Sequence, residues 1–429
     1  MIQALPLPFV PCQDPKAIAE EWLSALSDRI CGVVNRVFDF FKDQHTRVLD
    51  ASCQMKIACT RLYQRWIAPP QIGLKVLSPG HFSALHPYLT RIDAFLRAGC
   101  QPFAPQASCS GSYLFPDIGI FKPVDEEAFA PNNPKRFVGK LGQSGMRHGI
   151  AVGTSMQREC LAYAMDHGHF AGVPLTVEAE LTHPCLFDAV EGHRGQQRYT
   201  KSKTGSFQVF VPHTAAVQEL TQAEKRKIPA HEVHKIAILD IRTCNADRHL
   251  NNILATKTED AWKLTPIDHG LIMPEKLSQL RFRWVKLDQA DEPLCEKCID
   301  YIHAIDLDAD ARIQEQAGMS KTAQRVSRWA TTWMKKAVDA GWTLGRIGTF
   351  MERKKGLKRE PSAFERLIKQ AERAGVLAGL VKDATDTAYC ETPEFEALLF
   401  RLMDEAVLRP SNKPSALPSS GPASAPDVL

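Results

Sequence analysis

The chain has 429 residues, 44% of them hydrophobic, and a formal net charge of +4 from 53 Lys and Arg against 49 Asp and Glu. That length and composition fit two or three domains with well-buried cores. No apolar run approaches a membrane span and the Met1-Ile2-Gln3-Ala4 start lacks the basic residues of a secretory signal, so the expected setting is the cytoplasm, soluble or peripheral to a membrane.

Residues 16–66 are predicted as helix. Leu23, Leu26, Ile30, Val33, Val37 and Phe41 recur at helical spacing, a stripe that most often faces a core. Pro69-Pro70 stops this region, and 67–105 is read as a connector with some helix. A mixed, β-rich lobe is expected from about 106 to 211. Within it, Ser110-Gly111-Ser112 is a small turn between apolar segments, Ile118 to Phe121 reads as a strand, and Lys122 ends that strand. Such a turn also fits a plain hairpin; its place in a stretch whose Lys122 stands 125 residues ahead of Asp247 favours a loop whose backbone N–H groups approach phosphates, with Lys122 as a point charge for them. Pro131-Asn132-Asn133-Pro134 cannot be helix. Residues 212–230 are read as loop and 231–243 as the helix that delivers the next segment.

Residues 245–270 read NADRHLNNILATKTEDAWKLTPIDHG. Asp247 and Asn252 are five apart. Apolar Ile253-Leu254-Ala255, a polar turn from Lys257 to Asp260, and a second apolar run ending in Ile267-Asp268-His269-Gly270 follow. This is how a kinase-type phosphotransferase holds its chemistry. One carboxylate, Asp247, meets the acceptor hydroxyl. An amide, Asn252, and a second carboxylate, Asp268, hold Mg²⁺ on the nucleotide phosphates, because hard oxygen donors suit that ion. A lone D-x-x-x-x-N occurs often by chance; the strand, turn and second strand ending in Asp268 make the pattern specific. His249 and His269 sit beside these residues. Hydrogen bonding to orient the loop and plain packing are equally good readings of His249.

Residues 300–408 are predicted as helical, with Val326, Trp329, Trp333 and Val338 on stripes. Residues 321–373 hold fourteen Lys and Arg against five Asp and Glu. That excess fits a solvated helical face, or attraction to an anionic membrane. Nucleic acid is not expected, because aromatic residues are not interleaved with the basic run. The tail has prolines at 410, 414, 418, 422 and 426 and is expected to be disordered. The twelve cysteines are scattered. Only Cys295 and Cys298 stand close and no second C-x-x-C pairs with them, so a four-cysteine zinc site is not expected and buried thiols in a reducing compartment are.

These segments together resemble the phosphatidylinositol 3-/4-kinase-like family, and look most similar to the plant gamma-type and type II phosphatidylinositol 4-kinases. The resemblance runs over roughly 105–408. It is carried by Ser110-Gly111-Ser112-Tyr113, FKPVDEEAFAPNNPKRFVGK (121–140), LGQSGMRHGIAVG (141–153), RECLAYAMDHGHFAGVPLT (158–176), SFQVFV (206–211), HEVHKIAILDIRTCNADRHLNNIL (231–254) and PIDHGL (266–271). The Cys-rich palmitoylation cassette of animal type II enzymes has no match at 139–149.

The resemblance implies an α+β, two-lobed protein-kinase-like fold. Its N-lobe would span about 106–211 and its helical C-lobe about 212–408, after an N-terminal helical region and connector at 1–105 and before a Pro/Ser-rich tail at 409–429. It implies ATP and Mg²⁺, with Asp247, Asn252 and Asp268 as catalytic residues and Asn252 and Asp268 as the metal pair. Residues 108–114, with Ser110, Gly111 and Ser112, would cover the phosphates, and Lys122 would bind them. Gln208, Val209, Phe210 and Val211 would be the hinge for adenine. Glu159 is a candidate ion-pair partner for Lys122, with Glu126 and Glu127 as rivals. The expected acceptor is the inositol 4-hydroxyl of phosphatidylinositol, with a serine/threonine protein hydroxyl as the alternative. Peripheral contact with an anionic membrane goes with the first, and basic residues 276–286 are its nearest candidates for the lipid phosphodiester.

Overall fold

A computed structural model describes residues 72–78, 82–105, 108–187, 201–259, 261–354, 360–377 and 389–409. The expected helix at 16–66, the Pro-rich tail from 410 onward and residues 355–359 of the basic run lie outside them.

The N-lobe is a five-stranded antiparallel sheet in the order β1-β4-β5-β3-β2. Its strands are β1 (Gly73–Val76), β2 (Tyr113–Phe115), β3 (Gly119–Pro123), β4 (Thr176–His183) and β5 (Lys201–Val209). Helix α1 (Phe82–Arg97) packs on it through Leu85 and Ile92, which join Tyr113, Phe115, Phe121, Val177, Leu181 and Phe207 in one buried cluster. β1 and α1 come from the stretch read as connector. β1 adds to the sheet edge beside β4, with Leu74 opposite Leu181. Four residues with two half-buried apolar side chains are too short a signal to stand out in sequence.

Alternation along β3 decides what faces the cleft. Phe121 is fully buried in the sheet core, so Lys122 projects to the other face. Register with β5 then sets Lys122 opposite Ser206. Helix α2 (Ser155–Met165) lies between the lobes. Its N-terminus is capped by Glu127, which accepts from Gly153 N–H and, at 3.0 Å, from Ser155 N–H, satisfying donors the helix cannot pair itself. The turn Pro131-Asn132-Asn133-Pro134 is organised by buried Asn133, whose amide donates to the carbonyls of Cys109, Glu126 and Glu127 at 2.9–3.1 Å.

The C-lobe opens with a small sheet of β6 (Ala215–Ala216), β7 (Ile253–Lys257) and β8 (Trp262–Pro266), and with α3 (Gln222–Lys225) and α4 (Ala230–Arg242). The loop expected at 212–230 thus contains a two-residue strand and one helical turn. Among the described residues six α-helices follow: α5 (Glu296–Ala304), α6 (Leu307–Gln316), α7 (Lys321–Asp339), α8 (Leu344–Met351), α9 (Ala363–Leu377) and α10 (Pro393–Leu408). Val326, Trp329 and Trp333 of α7 enter the main core with Ile236 and Ile241 of α4, as their spacing predicts. Among the described residues no helix is long and apolar enough to cross a membrane.

Candidate active site

Lys122 is the hub of the cleft. Its Nζ lies 2.6 Å from Glu159 Oε1 and 3.0 Å from Asp268 Oδ1. Glu159, on α2, is buried, and its second oxygen accepts from His269 N–H at 2.9 Å. One carboxylate therefore fastens the N-lobe lysine to the residue after Asp268. Burial works against the charge on Lys122, but Asp268 and Glu159 outweigh it and hold its pKa above the ordinary value. Burial pushes the Glu159 carboxyl up, against the pull of Lys122. The rivals are otherwise occupied. Glu126 lies under Tyr113 Oη and Lys203 Nζ, the latter at 2.7 Å, and Glu127 caps α2.

Asp268 is half-exposed and sits at φ +59°, which turns the chain sharply out of β8. The positive charge of Lys122 holds its carboxyl at about 2. Asn252 stands at the start of β7. Its carbonyl accepts from Ile267 N–H at 3.0 Å, which sets it opposite the residue just before Asp268. Its side-chain Nδ2 donates to Asp247 O at 3.2 Å, turning Oδ1 away from that contact. An amide oxygen and an ionised carboxylate at adjacent strand ends fit a hard cation that keeps waters and shares phosphate oxygens. Asp268→Asn is expected to weaken nucleotide binding more in the presence of Mg²⁺ than in its absence. Nucleotide titrations with and without the ion check this, and equal losses would remove Asp268 as a ligand.

Asp247 stands at the head of this loop. Asn245 Oδ1 accepts its N–H at 2.8 Å, and its Oδ1 takes two contacts, from Arg147 Nη2 and, at 2.8 Å, from His249 Nε2. His249 is therefore in polar contact with Asp247, more than packing alone. Beneath it lies a pair that sequence reasoning missed. Asp240 of α4 and Arg248 are both fully buried and joined through Arg248 Nε at 2.9 and 3.1 Å. Arg248 Nη1 also donates to the carbonyls of Asn252 and Ile267 at 2.7 and 2.6 Å, and Nη2 lies 3.1 Å from His269 Nδ1. Burial and the charge of Arg248 push the His269 pKa well down, so it is neutral and accepts there. A signal existed: Asp240 interrupts the apolar run Ile236-Ala237-Ile238-Leu239 and Ile241, where a lone carboxylate requires a partner.

The remaining predicted residues line the same lobe. Ser110, Gly111 and Ser112 immediately precede β2, whose Tyr113 pairs with Phe121, so Ser112 comes level with Lys122. Gly111 N–H donates to Glu126 O at 2.8 Å, and a side chain at Gly111 would collide with Glu126. Gln208 Nε2 donates to Thr176 Oγ1 at 2.8 Å. Val209 and Phe210 N–H groups bond to Leu175 O and Ile118 O at 3.0 Å, so both donors are taken up within the lobe.

A β-rich lobe carrying a carboxylate-paired lysine over a helical lobe carrying Asp247, Asn252 and Asp268 defines a kinase-type phosphotransferase fold. The family model "Phosphatidylinositol 3- and 4-kinase" matches residues 117–347, which include Lys122, Glu159 and the whole Asp247–Asp268 segment. The chain belongs to the phosphatidylinositol 3- and 4-kinase family. Phosphatidylinositol 4-kinase gamma 6 of Arabidopsis thaliana is 37% identical over 298 residues, covering 65% of this chain and 47% of that one. Phosphatidylinositol 4-kinase gamma 7 of the same plant is 36% identical over 309 residues, covering 68% and 47%. Phosphatidylinositol 4-kinase gamma 4 of Oryza sativa subsp. japonica is 33% identical over 342 residues, covering 75% and 56%. The chain spans about half the length of these relatives. Among solved structures, the Helicobacter pylori proinflammatory kinase CtkA aligns over 58% of this chain and 93% of its own, at TM-score 0.29 and 11% identity.

Proposed function

We propose that the protein transfers the γ-phosphoryl group of ATP to the 4-hydroxyl of the inositol ring of phosphatidylinositol. The observation that carries the reading is Lys122 held between Glu159 and Asp268, with Asp247 across the cleft, in a chain similar to proteins named phosphatidylinositol 4-kinases. Mg²⁺, held by Asn252 and Asp268, would neutralise charge on the nucleotide phosphates. Glu159 keeps the Lys122 ammonium aimed into the cleft, where it meets the same phosphates. Ser110, Gly111 and Ser112 close over them, and Val211 offers its backbone to adenine. Asp247 orients the acceptor hydroxyl and takes its proton as the new P–O bond forms and the bond to ADP breaks.

Purified protein with labelled ATP, offered phosphatidylinositol vesicles and generic protein substrates side by side, tests the reading. Phosphatidylinositol 4-phosphate, separated from its isomers by chromatography, is the expected product. Labelled Ser or Thr with no labelled lipid would replace the lipid acceptor by a protein one.

A membrane acceptor requires a surface that meets it. Phe137, Val138, Leu141 and Met146 are exposed to between 42% and 58%, and they lie in the stretch 128–158, which holds five Lys and Arg and no carboxylate. Apolar side chains among cations fit the headgroup region of an anionic bilayer. Replacing these four by Ser is expected to reduce co-sedimentation with anionic vesicles severalfold while nucleotide affinity is kept. Unchanged co-sedimentation would move the membrane contact elsewhere on the chain.

A further inference from the structure

Two arginines from distant segments converge on Asp247, and the chemistry above uses neither. Arg147 stands near the tip of a hairpin spanning 139–153. The hairpin is closed by Gly142 N–H to Val152 O and Val152 N–H to Gln143 O, both at 2.9 Å, and by Gly145 N–H to Ile150 O at 2.8 Å. Its tip rests on the segment after Asp268. Glu275 N–H donates to Gly149 O at 2.9 Å, and His148 N–H to Gln279 Oε1 at 2.7 Å. Gly149 sits at φ +82°, and a Cβ there would meet Lys276 N at 2.8 Å, so the tip can dock only with glycine in that place. From this platform Arg147 reaches the Asp247 carboxylate with four-fifths of its side chain buried.

Arg281 belongs to a second segment. Its N–H donates to Asn245 O at 3.2 Å and its carbonyl accepts from Arg248 N–H at 3.0 Å, so its backbone runs alongside the Asp247 loop. Burial, then the charges of Arg283 and Arg147, pull its pKa below the ordinary value, and Asp247 opposes them. The Nε atoms of Arg147 and Arg281 are buried and have no hydrogen-bond partner. Arg147 thus holds the one carboxylate that must accept a proton, Arg281 acts on it electrostatically from the neighbouring segment, and each guanidinium has a donor to spare. An anion between them would satisfy both donors and relieve their repulsion.

We infer that Arg147 and Arg281 form the anion-recognition site for the acceptor, and that Arg147 latches Asp247 until a phosphodiester beside the acceptor hydroxyl draws it away. The inference rests on the lipid reading and adds to it how the acceptor is recognised. The phosphodiester is what distinguishes an inositol lipid from a neutral polyol or from water. Water brings no anion, meets a latched carboxylate, and is therefore a poor acceptor. Asp247 becomes free to take the hydroxyl proton only when the phosphodiester occupies the arginines. Arg147 is a positioning residue in this scheme, acting on the reaction through Asp247.

The test compares phosphatidylinositol vesicles, water-soluble glycerophosphoinositol, and free inositol as acceptors, together with ATP turnover in the absence of acceptor. A charge-assisted bond from a guanidinium to a phosphate oxygen contributes about 10- to 100-fold. The wild type is expected to prefer glycerophosphoinositol over inositol by about that factor in kcat/KM. In Arg147→Gln the preference should collapse, mainly through KM, while acceptor-free ATP hydrolysis rises severalfold. Arg147→Lys should recover part of the preference, and Arg281→Gln should lose it without involving the hairpin. A wild type that treats the two soluble acceptors alike overturns the inference whether or not any variant folds. So does an Arg147→Gln enzyme whose preference is unchanged, or whose ATP hydrolysis falls in step with transfer. Absence of any phosphoinositide product from the wild type removes the lipid reading as well; product with an indifferent Arg147 removes this inference alone.

Discussion

Asp247→Asn is expected to lower phosphoryl transfer by about 10²–10⁴-fold, the usual contribution of a positioned general base, while nucleotide affinity changes little. The separation follows from where the residue stands. Asp247 contacts Arg147 and His249, whereas Lys122, Glu159 and Asp268 form a different cluster that this substitution leaves intact. The amide keeps the shape of the carboxylate and an oxygen for His249 or Arg147, so the loop should stay folded. It cannot take a proton. Transfer and nucleotide binding are to be measured on one preparation. Retention of most of the activity would remove Asp247 as the acceptor-facing base, and with it the assignment of the 245–270 segment.

What could be read from the sequence was the placement of residues set by local spacing. Asp247, Asn252 and Asp268 lie within 22 residues on a loop and a hairpin, and the hairpin itself fixes their relation. Lys122 was legible because a single strand sets its direction. The partner of Lys122 was not decided, because Glu126, Glu127 and Glu159 are equally charged and only the packing of α2 chooses between them. The structure gives Glu126 to Lys203 and Glu127 to the helix cap, which leaves Glu159 for the lysine. Arg147 carried no signal at all. Its contact with Asp247 spans 100 residues and depends on a hairpin held by backbone bonds and one glycine. The edge strand β1 was missed for a related reason, since an edge takes its stability from the neighbour it pairs with and hardly from its own four residues.

The other large effect is expected from a residue that touches neither nucleotide nor acceptor. Asp240→Ala should destabilise the protein by about 3–5 kcal/mol, because it strands Arg248 as a fully buried cation without its bonded carboxylate. That is a large part of the roughly 5–15 kcal/mol by which domains of this kind are stable. The Asp240 oxygens accept four contacts from three donors: Arg248 Nε to both oxygens, Asn245 Nδ2 at 2.9 Å to Oδ1, and Trp284 Nε1 at 3.0 Å to Oδ2. Asp240→Asn keeps the volume but presents an NH₂ to one of these donors, so it should be damaging too. Chemical denaturation followed by tryptophan emission checks this, through a lower midpoint at unchanged slope. The double variant Asp240→Leu with Arg248→Met removes both charges and should recover much of the stability, as paired removal of buried ions generally does. It should not recover activity. Without the guanidinium, the carbonyls of Asn252 and Ile267 lose the donor that fixes the metal-side residues against the Asp247 loop. A single substitution costing less than about 1 kcal/mol would show that water or rearrangement replaces the carboxylate, and that the pair is not what holds the loop.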